Sequence, residues 1–111
     1  PAISTMMRPP HGRFTEATVR TAQEDGYHIV LWNDDPGDWR SVEPAELAEH
    51  IERHATAPDI ILLHSGRLAT IAMLPSVVAR FRQAGFEFVT VGELMQRAPV
   101  SVIDHPERRP I

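Results

Sequence analysis

Apolar positions recur along the chain with two periods, and the switches between them mark out the elements. Residues 3–7 form a short apolar segment that runs into Arg8-Pro9-Pro10-His11-Gly12. Two prolines there fix φ and remove backbone donors, so a strand end should lead into a rigid loop. Thr15 sits where an N-cap belongs, Val19 and Ala22 fall on one helical face, and Asp25-Gly26 supplies a left-handed stop, which predicts a helix over 16–25. Residues 27–32 (YHIVLW) are apolar on both faces, as in a strand buried between two layers, and 33–39 (NDDPGDW) form its exit loop. Pro44 opens a second helix whose stripe is Leu47, Ile51 and Ala55, ending near Ala57-Pro58. Residues 59–63 (DIILL) read as another doubly buried strand with the polar exit His64-Ser65-Gly66. A third helix is expected over 70–84, with Leu74, Val77, Val78 and Phe81 apolar, Pro75 in its early part and Gly85 as the stop. Residues 86–91 (FEFVTV) alternate as a fourth strand, 92–96 make a single helical turn, and the tail beyond Pro99 is polar, proline-punctuated and expected to be loosely held.

The resulting order, β-α-β-α-β-α-β without an internal repeat, predicts an α/β fold with a parallel sheet and right-handed crossovers. At 111 residues the chain can bury one core. A complete (β/α)8 barrel takes about 250 residues, and four strands cannot close one. The balance of 11 Lys plus Arg against 15 Asp plus Glu leaves a charge of −4, which argues against a nucleic-acid arm. The absence of Cys excludes a disulfide framework, a thiolate zinc site and a cysteine nucleophile. The longest aliphatic run, residues 60–63, is far short of the roughly 20 residues of a membrane helix. A start at Pro1 is compatible with a removed leader or with a trimmed Met, so targeting is not directly readable.

In parallel α/β proteins chemistry collects at the carboxyl ends of strands, and three exits here carry polar clusters expected to converge on one rim: RPPHG, NDDPGDW and HSG. Each has an ordinary alternative. Arg8 could bridge a carboxylate at a strand end, NDDPGDW could be an Asx and Pro-Gly turn with Trp as core filler, and His64 could be a neutral core-edge imidazole. Taken together they would place a charge anchor, a carboxylate and a titratable imidazole around one pocket, with Trp39 and Leu62 as an apolar wall. That arrangement suits acyl-group hydrolysis, in which an imidazole held by a carboxylate delivers a proton to the leaving group. No obvious residue activates the water.

At these residues the chain resembles the polysaccharide deacetylases, carbohydrate esterase family 4, also called the NodB-homology domain. The later family motifs read R-P-P-Y-G, D-x-x-D-W and L-x-H. Here Arg8-Pro9-Pro10-His11-Gly12, Asp35-Pro36-Gly37-Asp38-Trp39 and Leu62-Leu63-His64 match them in order, and FRQAGFEFVTVGEL is similar to the family's closing helix-strand-turn. His11 replaces the usual Tyr, and Ser65 stands where Asp commonly follows. The family's T-F-D-D segment, which supplies the catalytic base and a metal-ligating Asp, and its H-S/T-x-x-H segment, which supplies two metal-ligating His, are both absent from this sequence.

The resemblance therefore implies that 1–98 is the carboxyl-terminal half of a deacetylase domain, followed by a polar tail over 99–111. The other half would lie on a second or cleaved chain and complete a distorted (β/α) barrel. Carried over residue by residue, Arg8 tethers the base supplied by that half, His64 is the general acid, and Asp38 orients and charge-stabilises it. The backbone N–H of His11 helps bind the oxyanion, while Trp39 and Leu62 shape the pocket for the acetyl methyl. A divalent metal, zinc by resemblance, polarises the acetyl carbonyl and is ligated by residues not on this chain. The implied function is metal-dependent removal of acetyl groups from chitin, peptidoglycan or acetylxylan, outside the cytoplasm. The alternatives are a noncatalytic carbohydrate-binding or scaffolding module and, more weakly, a flavodoxin-like domain, which would need a glycine-rich phosphate cradle that is not present. His50 and His54 stand at i, i+4 on the second helix and mimic the spacing of the family's histidine ligands. They follow the wrong motif and lie off the buried stripe, so a solvated or helix-end role is expected, and His28 and His105 read as structural or exposed.

Overall fold

The computed structural model describes residues 5–98 and 102–103, and the chain divides into two compact units, 1–31 with 101–111, and 32–100. In the first unit the predicted opening strand is β1, Met6–Met7. Ile3 lies outside the described residues. The two prolines lead, as expected, into a tight turn: Pro10–Gly12 form a single 3-10 turn closed by Gly12 N–H donating to Pro9 O at 2.9 Å. Helix α1, Glu16–Glu24, begins at a reciprocal cap in which Thr15 and Thr18 satisfy each other's backbone N–H groups, and Gly26 ends it at φ 78°. The strand expected at 27–32 is β2, His28–Val30, with Ile29 and Val30 buried. Phe14, Val19 and Ile29 form the core of this unit.

The sheet corrects the all-parallel expectation. β2 pairs parallel with β1, Met6 opposite His28 and Met7 opposite Ile29, as the crossover rule requires. On its other edge β2 pairs antiparallel with β3, Val102–Ile103, a segment that the polar composition of the tail had hidden. The rest of the expected tail, 99–101 and 104–111 with His105, lies outside the described residues.

The second unit is built on two helices, α2, Pro44–His54, and α3, Leu68–Gln83. Leu47, Ala48 and Ile51 of α2 pack against Met73, Val77 and Phe81 of α3. The stripe of α3 differs from the expected one. It buries Thr70, Met73, Val77 and Phe81, at i, i+3, i+7 and i+11, and leaves Leu74 exposed.

The strands expected at 59–63 and 86–91 do not form ladders. Residues 59–63 are extended beside 33–34, with Asn33 N–H donating to Ile60 O at 2.8 Å and Leu62 N–H to Asp34 O at 2.9 Å, but the pairing is one parallel bridge, Asp34 to Ile61. The neighbouring chain turns away at once, because Pro36 has no N–H and Asp35 Oδ1 accepts from Gly37 N–H at 3.0 Å, an Asx turn. Residues 86–90 alternate as a strand should, yet no ladder partner stands beside them among the described residues, and the chain passes directly into α4, Val91–Arg97, capped by Thr90. No helix among the described residues is long and apolar enough to cross a membrane.

Candidate functional site

Two of the three polar exits meet in the second unit. The turn over 35–37 lifts Asp38 out of the bridge and into the interior, where the residue is 1% exposed. The extended run 59–63 ends by delivering His64 to the same place. Asp38 Oδ1 lies 2.7 Å from His64 Nδ1, and Asp38 Oδ2 accepts from His64 N–H at 2.7 Å. A third donor arrives from α3, Thr70 Oγ1, also at 2.7 Å from Oδ2. Burial alone would push the Asp38 carboxyl up. The His64 backbone N–H, the Thr70 hydroxyl and the His64 ring outweigh it and hold the group below the usual carboxylate value.

An ionised Asp38 accepts only, so its bond to Nδ1 makes that nitrogen the ring's donor. Nε2 is left with no hydrogen-bond partner among the described residues, on a side chain that is 43% exposed. The exit loops thus form a carboxylate-oriented imidazole with one nitrogen fixed and the other turned outward, the arrangement of a general acid–base group. Beside Asp38 a cleft of about 490 Å³ opens between residues 40–43 and 66–69, with Arg40 and Arg67 among its lining.

Trp39, next to Asp38, is half-exposed with the Arg40 guanidinium 4.9 Å from its ring centroid, so it is not core filler. Leu62 is half-buried and stands two positions before His64, on the same side of an extended chain. Arg8 and His11 belong to the first unit. Arg8 donates from Nε to Val30 O and from Nη2 to Leu31 O, each at 3.2 Å, which anchors the guanidinium at the end of β2. His11 adopts φ 57°, a left-handed conformation uncommon for a residue with a Cβ, on a turn otherwise set by proline and glycine. Such strain is often retained where a backbone group must face a ligand.

The His50 and His54 rings stack on each other at 4.2 Å, with His54 Nδ1 2.9 Å from His50 O and His50 Nε2 3.6 Å from Asp34 Oδ1. No group of three His, Cys, Asp or Glu among the described residues can hold a metal ion. The described residues therefore do not fit a metal centre. Sequence reasoning missed Thr70, because a threonine in the first turn of a helix reads as local capping chemistry; its helical spacing to Met73, Val77 and Phe81 was a signal for burial but not for its partner.

No family model matches the chain. Individual proteins do. A peptidoglycan-N-acetylglucosamine deacetylase from Bacillus cereus is 38% identical over 96 residues, covering 82% of this chain and 45% of that protein. Among solved structures, the Bc1960 peptidoglycan N-acetylglucosamine deacetylase superposes with a TM-score of 0.79 at 25% identity, over 83% of this chain and 45% of the other. The fold also matches BA3943, described as a carbohydrate esterase family 4 pseudoenzyme from Bacillus anthracis, with a TM-score of 0.75 at 24% identity, over 87% of this chain and 34% of that one. The Asp38–His64 pair, the three motifs and these likenesses agree. The chain is a relative of the polysaccharide deacetylases of carbohydrate esterase family 4, and it corresponds to the carboxyl-terminal part of their length. It spans less than half the length of each of these proteins.

Proposed function

We propose that this chain supplies the proton-donating half of a deacetylase that hydrolyses acetyl groups on a polysaccharide, with N-acetylated peptidoglycan the favoured substrate. The observation that carries the reading is the buried Asp38 carboxylate fixed to His64 Nδ1 while Nε2 stays exposed. In this reading His64 protonates the leaving amine from Nε2, and Asp38 keeps the ring oriented and stabilises the imidazolium that alternates with it. Arg8, anchored on the end of β2, orients a catalytic base contributed from elsewhere. The His11 backbone N–H serves the oxyanion, and Trp39 with Leu62 forms the wall for the acetyl methyl.

The divalent metal, zinc in our reading, is held by residues outside this chain. The amino-terminal half of the domain, outside these 111 residues, supplies those ligands and the base, and completes a distorted (β/α) barrel. Because peptidoglycan lies outside the cytoplasm, the assembled protein works at the cell surface or beyond it.

The second reading is a noncatalytic carbohydrate-binding or scaffolding module, favoured by the likeness to a pseudoenzyme of the same family. The fold does not decide between the two, since a pseudoenzyme shares it. Native mass spectrometry of the purified protein, followed by an assay of acetate release from N-acetylglucosamine oligomers, separates them. A partner polypeptide with one metal and measurable acetate release supports the deacetylase. In that active form His64→Ala should lower turnover by about 10²–10⁴-fold with the fold intact. Unchanged turnover would overturn the role of His64, and a lone 12.5 kDa chain that binds glycan without releasing acetate would establish the binding module.

A further inference from the structure

The roles assigned above leave Thr70 unused, although it is 5% exposed and spends its hydroxyl proton on Asp38. The source of each bond to Asp38 makes that contact unusual. Both other donors, the backbone N–H and Nδ1, belong to His64 itself. A carboxylate held by His64 alone would follow that residue wherever its loop moved, and could not aim it. The bond from Thr70 comes from a different element, on the same α3 stripe as Met73, Val77 and Phe81, which pack against α2. It therefore refers the carboxylate to the helix-pair core.

We propose that Thr70 is a positioning residue: its hydroxyl ties Asp38 Oδ2 to α3, so that the His64 ring is aimed by the packed helices and not only by its own exit loop. What that aim serves rests on the deacetylase reading. The clamp itself does not. Both halves of the side chain matter, the hydroxyl as donor and the methyl as filling of the buried position, which is why threonine suits it better than serine or valine. Replacing the hydroxyl by a methyl leaves Oδ2 desolvated with one donor in place of two, the costly way to lose a buried hydrogen bond.

The test uses the full 111-residue chain and reads NMR signals, so it does not depend on activity. In the unmodified chain the Thr70 hydroxyl proton should exchange slowly enough to be seen and should show a coupling to the Asp38 carboxyl carbon. Absence of that proton overturns the proposal without any substitution. Thr70→Val should move the Asp38 carboxyl titration upward and convert the neutral His64 ring from the Nδ1–H form to a mixture of tautomers. Thr70→Ser should restore both. A Thr70→Val chain that folds with an unchanged Asp38 titration and an unchanged His64 tautomer overturns the clamp. In the active assembly Thr70→Val should lower kcat about tenfold at unchanged KM, with recovery in Thr70→Ser. If the NMR readouts come out as expected while no assembly, wild type included, releases acetate, the clamp is supported and the deacetylase reading fails.

Discussion

Asp38 and His64 share one hydrogen bond but carry different burdens. The Asp38 side chain is wholly buried and satisfied three times over, whereas the His64 side chain is 43% exposed. Asp38→Ala removes the acceptor for three donors and opens a void beside α3, so it should cost about 3 kcal/mol or more in denaturant unfolding. His64→Ala should cost about 1 kcal/mol, because water can reach the Asp38 oxygen it leaves. Equal costs for the two would contradict the assignment of Asp38 as the structural partner. The pH dependence follows from the sign of the shift. The Asp38 carboxyl is held below its ordinary value in the folded chain, so its contribution is complete above the unfolded carboxylate value and disappears as pH falls through the lowered folded value. Asp38→Asn should therefore flatten the acid limb of the stability profile; an acid limb identical to wild type would show that other carboxylates set it. The pair was legible in sequence because a strand exit ending in His and a turn holding Asp are local patterns. Thr70 was not, since nothing local distinguishes a threonine that caps a helix from one that reaches a carboxylate 32 residues away.

Helices were legible and strands less so, for a reason seen in two segments. Three of the four helices carry their own start signals: the Thr15 and Thr18 cap for α1, Pro44 at the first turn of α2, and Thr90 before α4. A strand needs a neighbour that its own residues do not specify, and 59–63 loses its neighbour where Pro36 and the Asx turn redirect the chain. Two predictions belong to this scale. Pro75 is exposed inside α3, where it removes one helical hydrogen bond. Pro75→Ala should stabilise the second unit by about 1–2 kcal/mol after the lost restriction of the unfolded chain is allowed for, read as a higher urea midpoint. A lower midpoint would mean that α3 needs the bend. Asp59 presents the opposite sign to Asp38: burial, with the Asp34 charge adding to it, raises its carboxyl against the Thr56 N–H that stabilises it. Its ionisation thus costs stability above the raised folded value and costs nothing below the unfolded one. Asp59→Asn should add up to about 0.5 kcal/mol at pH 7 and nothing at low pH. A gain that persists under acid would assign the effect to something other than charge.

At the scale of the whole molecule the unfinished features point the same way. Residues 86–90 have the alternation of a strand but no ladder among the described residues, and Phe88 is half-exposed, resting against Phe81 at 6.2 Å with the Arg82 guanidinium 5.7 Å from its ring. The chain corresponds to the carboxyl-terminal part of proteins of which it spans less than half. Phe86 N–H is taken by Phe81 O at 2.9 Å, and a segment that then runs on without a ladder beside a partly uncovered aromatic is what a sheet presents where a further strand is meant to pair. We therefore expect the amides of 87–90 to exchange with solvent within seconds in the isolated chain, while those of α2 and α3 in the helix-pair core exchange far more slowly. Addition of a polypeptide carrying the amino-terminal half of the domain should slow exchange at 87–90 and at the open side of 59–63, leaving α2 unchanged. Hydrogen exchange read by mass spectrometry decides it. Protection confined to other segments would mean that the missing half docks elsewhere, and 87–90 already protected in the isolated chain would mean that the strand is complete without a partner. Either result would remove the structural basis for a split barrel while leaving the Asp38–His64 pair to be explained by a different assembly.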